Sequence, residues 1–409
     1  MGNRQMIRTC FAAVNRVGSR LVKICDIAVR SAATISLLAA AACAGRGPSI
    51  PGSALPSDPE ATRETKALYA NLKRLAPDYV LFGHQDALAY GVKWKVEEGR
   101  SDVKDVAGSD PAVFGWELGD LERGAAENLD GVDFENMKRW IKRGYDEGGV
   151  ITISWHMNNP VSGGNAWDTT RAAYAILPGG EKHELYKTWL DAFAEFDGDL
   201  QTVGGRPIPV IFRPFHEHTG SWFWWGGANV TAPEYIELWR FTVDYLRNEK
   251  GLHNLLWAYS TDVFRDKEHY LEHYPGAEYV DVLGYDDYRA LSTDEGVPLM
   301  TARLHELVEM AEDSGKLPAL TETGLEGIPV PNWWTGRLLK AITADSLSRR
   351  ISYALVWRNA NEADIPGHHF APYAGHPSAA DFAQFAADPF VVMVDELPDL
   401  YSWSGGREE

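Results

Sequence analysis

From about Pro59 onward, short apolar runs alternate along the chain with longer amphipathic ones. The short runs are YVLFGHQ (79–85), AVFGWELGD (112–120), GVITISWH (149–156), PVIFRPFHE (209–217), NLLWAYS (254–260), VDVLGYDDY (280–288), PALTETG (318–324) and YALVWRN (353–359). Each is bounded by Gly, Pro or charged residues, and most are near-continuous in hydrophobicity, as expected of parallel strands buried on both faces. Between them the period changes. Phe134, Met137, Trp140, Ile141 and Tyr145 recur on one helical face. TAPEYIELWRFTVDYLRNE places Thr231 three residues before Glu234, a capping-box spacing, and then repeats Tyr235, Leu238, Trp239, Thr242, Tyr245 and Leu246.

Eight strands alternating with helices predict an α/β fold, a single (β/α)8 TIM barrel over residues 59–400. The alternative is an open doubly wound sheet, but no run is followed by a Gly-rich dinucleotide turn or a phosphate loop. The runs also share a feature at one end. His84, Trp116 with Glu117 and Asp120, Trp155 with His156, His216 with Glu217, Asp286 to Tyr288, Glu322, and Trp357 with Arg358 all close their strands. In a barrel those ends converge on one mouth, where active sites lie.

Composition narrows the partners. The 39 Lys and Arg against 58 Asp and Glu give a net charge of −19, which repels nucleic acid and anionic membrane surfaces. Aromatics are 11% of the chain, with 15 Trp, many beside Gly, His, Asp or Glu, which suits stacking on flat hydroxylated ligands. The first 43 residues read as a signal peptide, with a basic leader and a 12-residue small apolar run, Ser31 to Ala42, too short to span a bilayer. AAAACAG resembles a bacterial lipobox, making Cys43 the lipidation candidate, although Ala40 stands where Leu is usual. Residues 44–58 have linker composition, and 401–409 read as a flexible tail. The expected location is the bacterial cell envelope, lipid-anchored, with plain secretion as the alternative. A monomer is expected. All three cysteines fall in the leader, so the folded part has neither disulfide nor thiol nucleophile.

The chemistry concentrates in FRPFHEHTGSWFWWG (212–226) and LTETG (320–324). Glu217 closes the fourth run and Glu322 the seventh, and two carboxylates converging on one mouth are what glycoside hydrolysis needs. The H-E-H spacing is not H-E-x-x-H, and on a strand His216 and His218 would share a face opposite Glu217, so no catalytic metal is expected. No cofactor is expected either, and no G-x-S-x-G elbow marks a serine nucleophile.

These stretches resemble the acid/base and nucleophile motifs of family 26 glycoside hydrolases, mainly β-mannanases, in which a His-Glu pair replaces the Asn-Glu of related barrels. VDVLGYDDY and YALVWRN resemble the family's sixth and eighth strands. The resemblance implies that Glu217 is the general acid/base, Glu322 the nucleophile, and Tyr288 the residue that orients the nucleophile, with Tyr285 as the alternative tyrosine. It places His216 near the 2-hydroxyl of the sugar at the cleavage point, Trp357 under that sugar with Arg358 beside it, Trp222 on the leaving-group side and His156 on the glycone. His84, Tyr90, Trp94, Trp116 and Asp120 would build a distal glycone subsite, while Trp224 and Trp225 read equally as packing.

The implied substrate is β-1,4-mannan or its oligosaccharides, with β-1,3-xylan and mixed-linkage glucan as family alternatives. GDLERGAAENLDGVDF (119–134) is expected to wall off one end of the cleft, which suits release of mannobiose from chain ends over endo cleavage. The reading from another class is a non-catalytic mannan-binding surface lipoprotein.

Overall fold

The computed structural model describes residues 50–404, so the leader, Cys43 and the first part of the linker, residues 44–49, lie outside the described residues. Eight parallel strands pair in chain order: β1 (Val80–Gln85), β2 (Val113–Glu117), β3 (Val150–Trp155), β4 (Val210–Pro214), β5 (Leu255–Thr261), β6 (Val282–Asp287), β7 (Leu317–Thr323) and β8 (Tyr353–Val356). The sheet closes because β8 pairs with β1, Leu81 opposite Tyr353 and His84 opposite Val356. This is the (β/α)8 barrel that the run pattern predicts. Every residue of all eight strands is buried, which is why the runs are apolar almost throughout.

Strand alternation sorts side chains into two cores. Leu81, Val113, Val150, Ile211, Leu256, Val282, Leu317 and Leu355 gather inside the barrel with Leu68, Tyr69 and Leu72 of α1 (Arg63–Leu75), which closes its N-terminal end. Phe82, Phe114, Ile151 and Phe212 point the other way, into the layer under the helices. In α2 (Phe134–Asp146) the buried residues include Phe134, Met137, Trp140 and Ile141, the predicted face. α3 (Ala232–Asp244) opens with the predicted capping box between Thr231 and Glu234 and runs on into a π-helical turn, Tyr245–Glu249.

Both ends of the described chain dock on the α1 side. Ser57 N–H donates to Asp281 at 2.5 Å, and Asp58 meets His253 at 2.8 Å. Leu400 joins the inner cluster, Asn71 donates to the carbonyls of Leu400 and Ser402, and the Tyr401 hydroxyl donates to Gly149 O at 2.7 Å. Packing therefore begins slightly before the expected linker end and runs past the expected tail boundary. The pattern did not predict a small antiparallel pair, Tyr90–Gly91 with Trp94–Lys95, or Val391–Val392 beside the start of β1.

Candidate active site

The two glutamates reach the mouth through irregular backbone. Between β6 and β7 the register runs Tyr285 opposite Leu320 and then Asp286 opposite Glu322, so Thr321 is an extra residue in β7. A bulge of this kind re-aims side chains. Here Thr321 Oγ1 donates to Asp286 at 2.5 Å, and the next residue, Glu322, still turns into the mouth. Its oxygens accept from Arg213 Nη2 and, at 2.6 Å, from the Tyr288 hydroxyl.

β4 stops at Pro214, three residues short of the glutamate that the sequence reading placed at its end. Phe215 and Glu217 have φ of 50° and 54°, in the left-handed region that non-glycine residues adopt only at a cost. The turn is tied at each step. Tyr235 OH donates to Phe215 O at 2.9 Å, Trp225 Nε1 to His216 O at 2.8 Å, Glu217 N to Ser260 O at 3.0 Å, and Gly220 N to Glu217 O at 2.9 Å. Because the strand has ended, His216 and His218 do not share a strand face. His216 Nε2 meets His156 Nε2 at 3.2 Å, whereas His218 lies buried between the hydroxyls of Tyr259 at 2.9 Å and Tyr235 at 3.1 Å.

Oxygens of Glu217, Asp286 and Glu322 lie within 4.8 Å of one another. Glu217 and Glu322 thus come closer than the roughly 6.5–9.5 Å gap of an inverting site, in line with the roughly 5–5.5 Å of a nucleophile and acid/base pair. Among the described residues these three are also the one His, Cys, Asp and Glu group close enough to share a cation. Arg213, itself buried, already pairs with two of them, Asp286 at 2.9 Å and Glu322. Glu217 has no such partner. Burial, and then the charges of Glu322 and Asp286, push its carboxyl well above the usual range, opposed by the Trp222 Nε1–H that donates to it at 2.7 Å. One carboxyl pushed toward its protonated form thus faces one held beside a guanidinium.

The wall of the mouth beside His156 starts from Glu117. Its carboxylate is fully buried and accepts from Gly119 N, Ser154 Oγ and His156 N, and it meets His156 Nδ1 at 2.8 Å. Burial opposes charge on His156, but Glu117 outweighs it and raises the imidazole pKa. For His216 burial and nearby Arg213 act together, and its pKa is well below the usual value.

His156, His216, Trp222, Tyr288 and Trp357 line one cavity of about 460 Å³ with Glu217 and Glu322. Tyr285 is not the orienting tyrosine, since its hydroxyl donates to Asp287. Arg358 turns away from the carboxylate pair to ion-pair with Asp130 at 2.7 Å, in a neighbouring cavity of about 560 Å³ that Tyr90 also lines. Asp120 lines neither cavity and accepts from Asn158 at 2.8 Å. Trp94 is buried and donates to Asp102, and Trp224 and Trp225 are fully buried, bracing the carbonyls of Met157 and His216.

His84 and Trp116 are not brought to the mouth. Each shares the parity of a residue under the helices, His84 that of Phe82 and Trp116 that of Phe114; His84 is buried in that layer and Trp116 stacks on Trp140 of α2, 6.1 Å between centroids. Sequence reasoning also missed residues that do line the cleft. Trp167, 47% exposed, stacks on the His156 ring at 5.1 Å, and Phe223 and Phe370 complete the wall. Trp167 stands in NAWDTT, far from any strand end, and only its pairing with polar neighbours hinted at a ligand surface.

A barrel that brings to its mouth, from the turn after the fourth strand and from the seventh strand, one carboxyl pushed toward its protonated form and one paired with a guanidinium has the site of a double-displacement glycosidase. The chain belongs to glycosyl hydrolase family 26, whose family model matches residues 57–335. It is 36% identical over 381 residues to a mannan endo-1,4-beta-mannosidase of Bifidobacterium adolescentis, which takes in 88% of this chain but spans only 38% of that relative's length. The fold is similar to that of BoMan26A, a GH26 beta-mannanase from Bacteroides ovatus, with TM-score 0.81 and 43% identity over 85% of this chain and 100% of that one. It is also similar to a modular endo-beta-1,4-mannanase from Cellulomonas fimi, with TM-score 0.79, 35% identity, and 87% and 81% of the two chains covered.

Proposed function

We propose that this chain is a retaining glycosidase that hydrolyses β-1,4-mannosidic bonds of mannan or manno-oligosaccharides. The observation that carries the proposal is the pair Glu217 and Glu322, with oxygens within 4.8 Å, the first pushed toward its protonated form by burial and the second paired with Arg213. Glu322, oriented by Tyr288 and Arg213, attacks the anomeric carbon while Glu217 gives its proton to the departing oxygen. A glycosyl ester on Glu322 results. Esterification removes the Glu322 charge that holds the proton on Glu217, so Glu217 next acts as a base, takes a proton from water, and the hydroxide displaces the ester. The mannanase relatives above supply the choice of sugar.

The loop after β2 supports a short glycone side. Asn128 fixes it by donating to Glu117 O at 2.9 Å and accepting from Val132 N at 2.8 Å, and Asp130 clamps it to Arg358. On this reading two sugar units fit before the wall and mannobiose leaves from chain ends. Endo cleavage is the second reading, favoured by the endo-mannanases of Bifidobacterium adolescentis and Cellulomonas fimi among the relatives. The lipobox-like run before Cys43 supports anchoring at a bacterial envelope.

The test compares single variants on polymer and on an activated aryl mannobioside. Glu322→Ala is expected to stop both reactions, while Glu217→Ala spares the aryl substrate, whose leaving group needs no proton. Wild-type rates on polymer for both variants would overturn the assignment. Products from mannohexaose, mannobiose alone against a ladder, decide between the two modes, and no product from the wild-type chain would turn it into a mannan-binding protein.

A further inference from the structure

Trp222 is the only group seen donating to the acid/base carboxyl among the described residues, through Nε1 to Glu217 Oε2 at 2.7 Å. An indole that is partly exposed to solvent does not hold such an angle unaided. Two contacts fix it. On one side the six-membered ring lies so close to Gly220 that a methyl group there would overlap Cη2, Cζ2 and Cζ3. The other contact is Arg289, whose guanidinium carbon lies over the ring at 5.8 Å from its centroid. Arg289 is itself clamped. Its Nη2 donates to Asp262 at 2.9 Å, and its backbone N–H donates to Asp287 at 2.6 Å. Asp262 follows β5 and is 7% exposed, while the Arg289 side chain is 62% exposed, so a buried anion orients a solvent-facing cation.

From this chain of contacts we propose that Arg289, held by Asp262, is a positioning residue that keeps the Trp222 indole over Gly220 with its N–H on Glu217. The inference rests on the reading of Glu217 as acid/base. Arg289 forms no hydrogen bond with either glutamate, so it acts through Trp222 and through the position of its charge. The cation over an aromatic face supplies the attraction, and the Asp262 pair removes the freedom that a long side chain would otherwise have. The consequence is a selective one. Nucleophilic attack by Glu322 does not use Trp222, whereas aiming the Glu217 proton at the departing oxygen does.

The groups around Glu217 give the sign of the accompanying pH effect. Glu322 from β7, Asp286 from β6 and Asp262 after β5 face it as anions, Tyr288 after β6 as a neutral hydroxyl, Arg213 from β4 as a cation paired with Glu322 and Asp286, and Trp222 as the donor. Losing Arg289 leaves Asp262 unpaired and loosens the Trp222 donor. Both changes favour the protonated acid, so the alkaline limb of kcat/KM moves to higher pH.

The experiment measures Arg289→Ala and Asp262→Asn, with Arg289→Lys as the conservative variant, on manno-oligosaccharide and on the activated aryl mannobioside. Both substitutions are expected to lower kcat on the oligosaccharide roughly five- to tenfold, on the order of one lost hydrogen bond, and to change the aryl rate less than about twofold. Arg289→Lys recovers part of the loss, and in a Trp222→Phe background Arg289→Ala adds little. Equal losses on both substrates, or no loss, would overturn the inference while leaving the Glu217 assignment standing. If Glu217→Ala itself showed no dependence on leaving group, the reading of Glu217 would fail instead.

Discussion

At the scale of single residues, the site works because similar groups are given different surroundings. Glu217 and Glu322 are both glutamates at one mouth, yet the first lacks a cation and the second has Arg213 and the Tyr288 hydroxyl. Tyr288→Phe removes a 2.6 Å bond to a carboxylate and nothing else of comparable strength. A hydrogen bond to a charged group is worth about 1.5–3 kcal/mol, so kcat/KM on manno-oligosaccharide is expected to fall about 10- to 100-fold, with the melting temperature changing little. Steady-state kinetics beside a thermal melt checks this. The raised proton affinity of Glu217 has its own signature: the acid is lost only as pH climbs through a value well above the ordinary carboxyl range.

At the scale of elements, the strands and amphipathic helices were legible because burial on two faces, or on one stripe, writes itself into the residue pattern. The irregular segments were not. Nothing in PFHEH shows that β4 stops at Pro214 or that Phe215 and Glu217 take positive φ, because side-chain type alone does not announce a left-handed turn at non-glycine residues. Parity at a strand end is similarly hidden. Glu117 and Trp116 are neighbours, and a one-residue step decides which of them faces the mouth and which packs under α2. The extra Thr321 alters the count again for Glu322. Cap chemistry, by contrast, reads directly: Thr231 and Glu234 were expected to close the start of α3 and they do. Thr231→Ala is expected to destabilise the protein by about 1 kcal/mol in urea unfolding while sparing kcat, since α3 supplies scaffold.

At the scale of the whole molecule, the barrel buries carboxyls whose partners do not offset the cost of their burial. Burial raises Asp86 to about 8, Asp197 to about 7 and Asp286 to about 7, with the Asp130 charge adding to the first. Each folded value lies above the unfolded one, so the stability these groups contribute is complete below roughly pH 4 and is lost as pH rises through 7 to 8. The thermal midpoint is therefore expected to be higher near pH 5 than near pH 9, about 1 kcal/mol or more of difference, as calorimetry would show. Asp197→Asn should flatten part of that slope, because Asn254 Nδ2 already donates to both Asp197 oxygens at 3.1 Å.

The docking of Ser57 on Asp281 and of Leu400 in the cluster around α1 has a consequence for how the molecule meets a polysaccharide. Both places where the chain enters and leaves the barrel lie at the closed end, and the carboxylate pair lies at the open one. A support attached at Ser57 or Leu400 therefore takes hold of the back of the barrel. An insoluble fibre then reaches the front without crossing the support, so a preparation immobilised there is expected to act on solids as well as on dissolved chains.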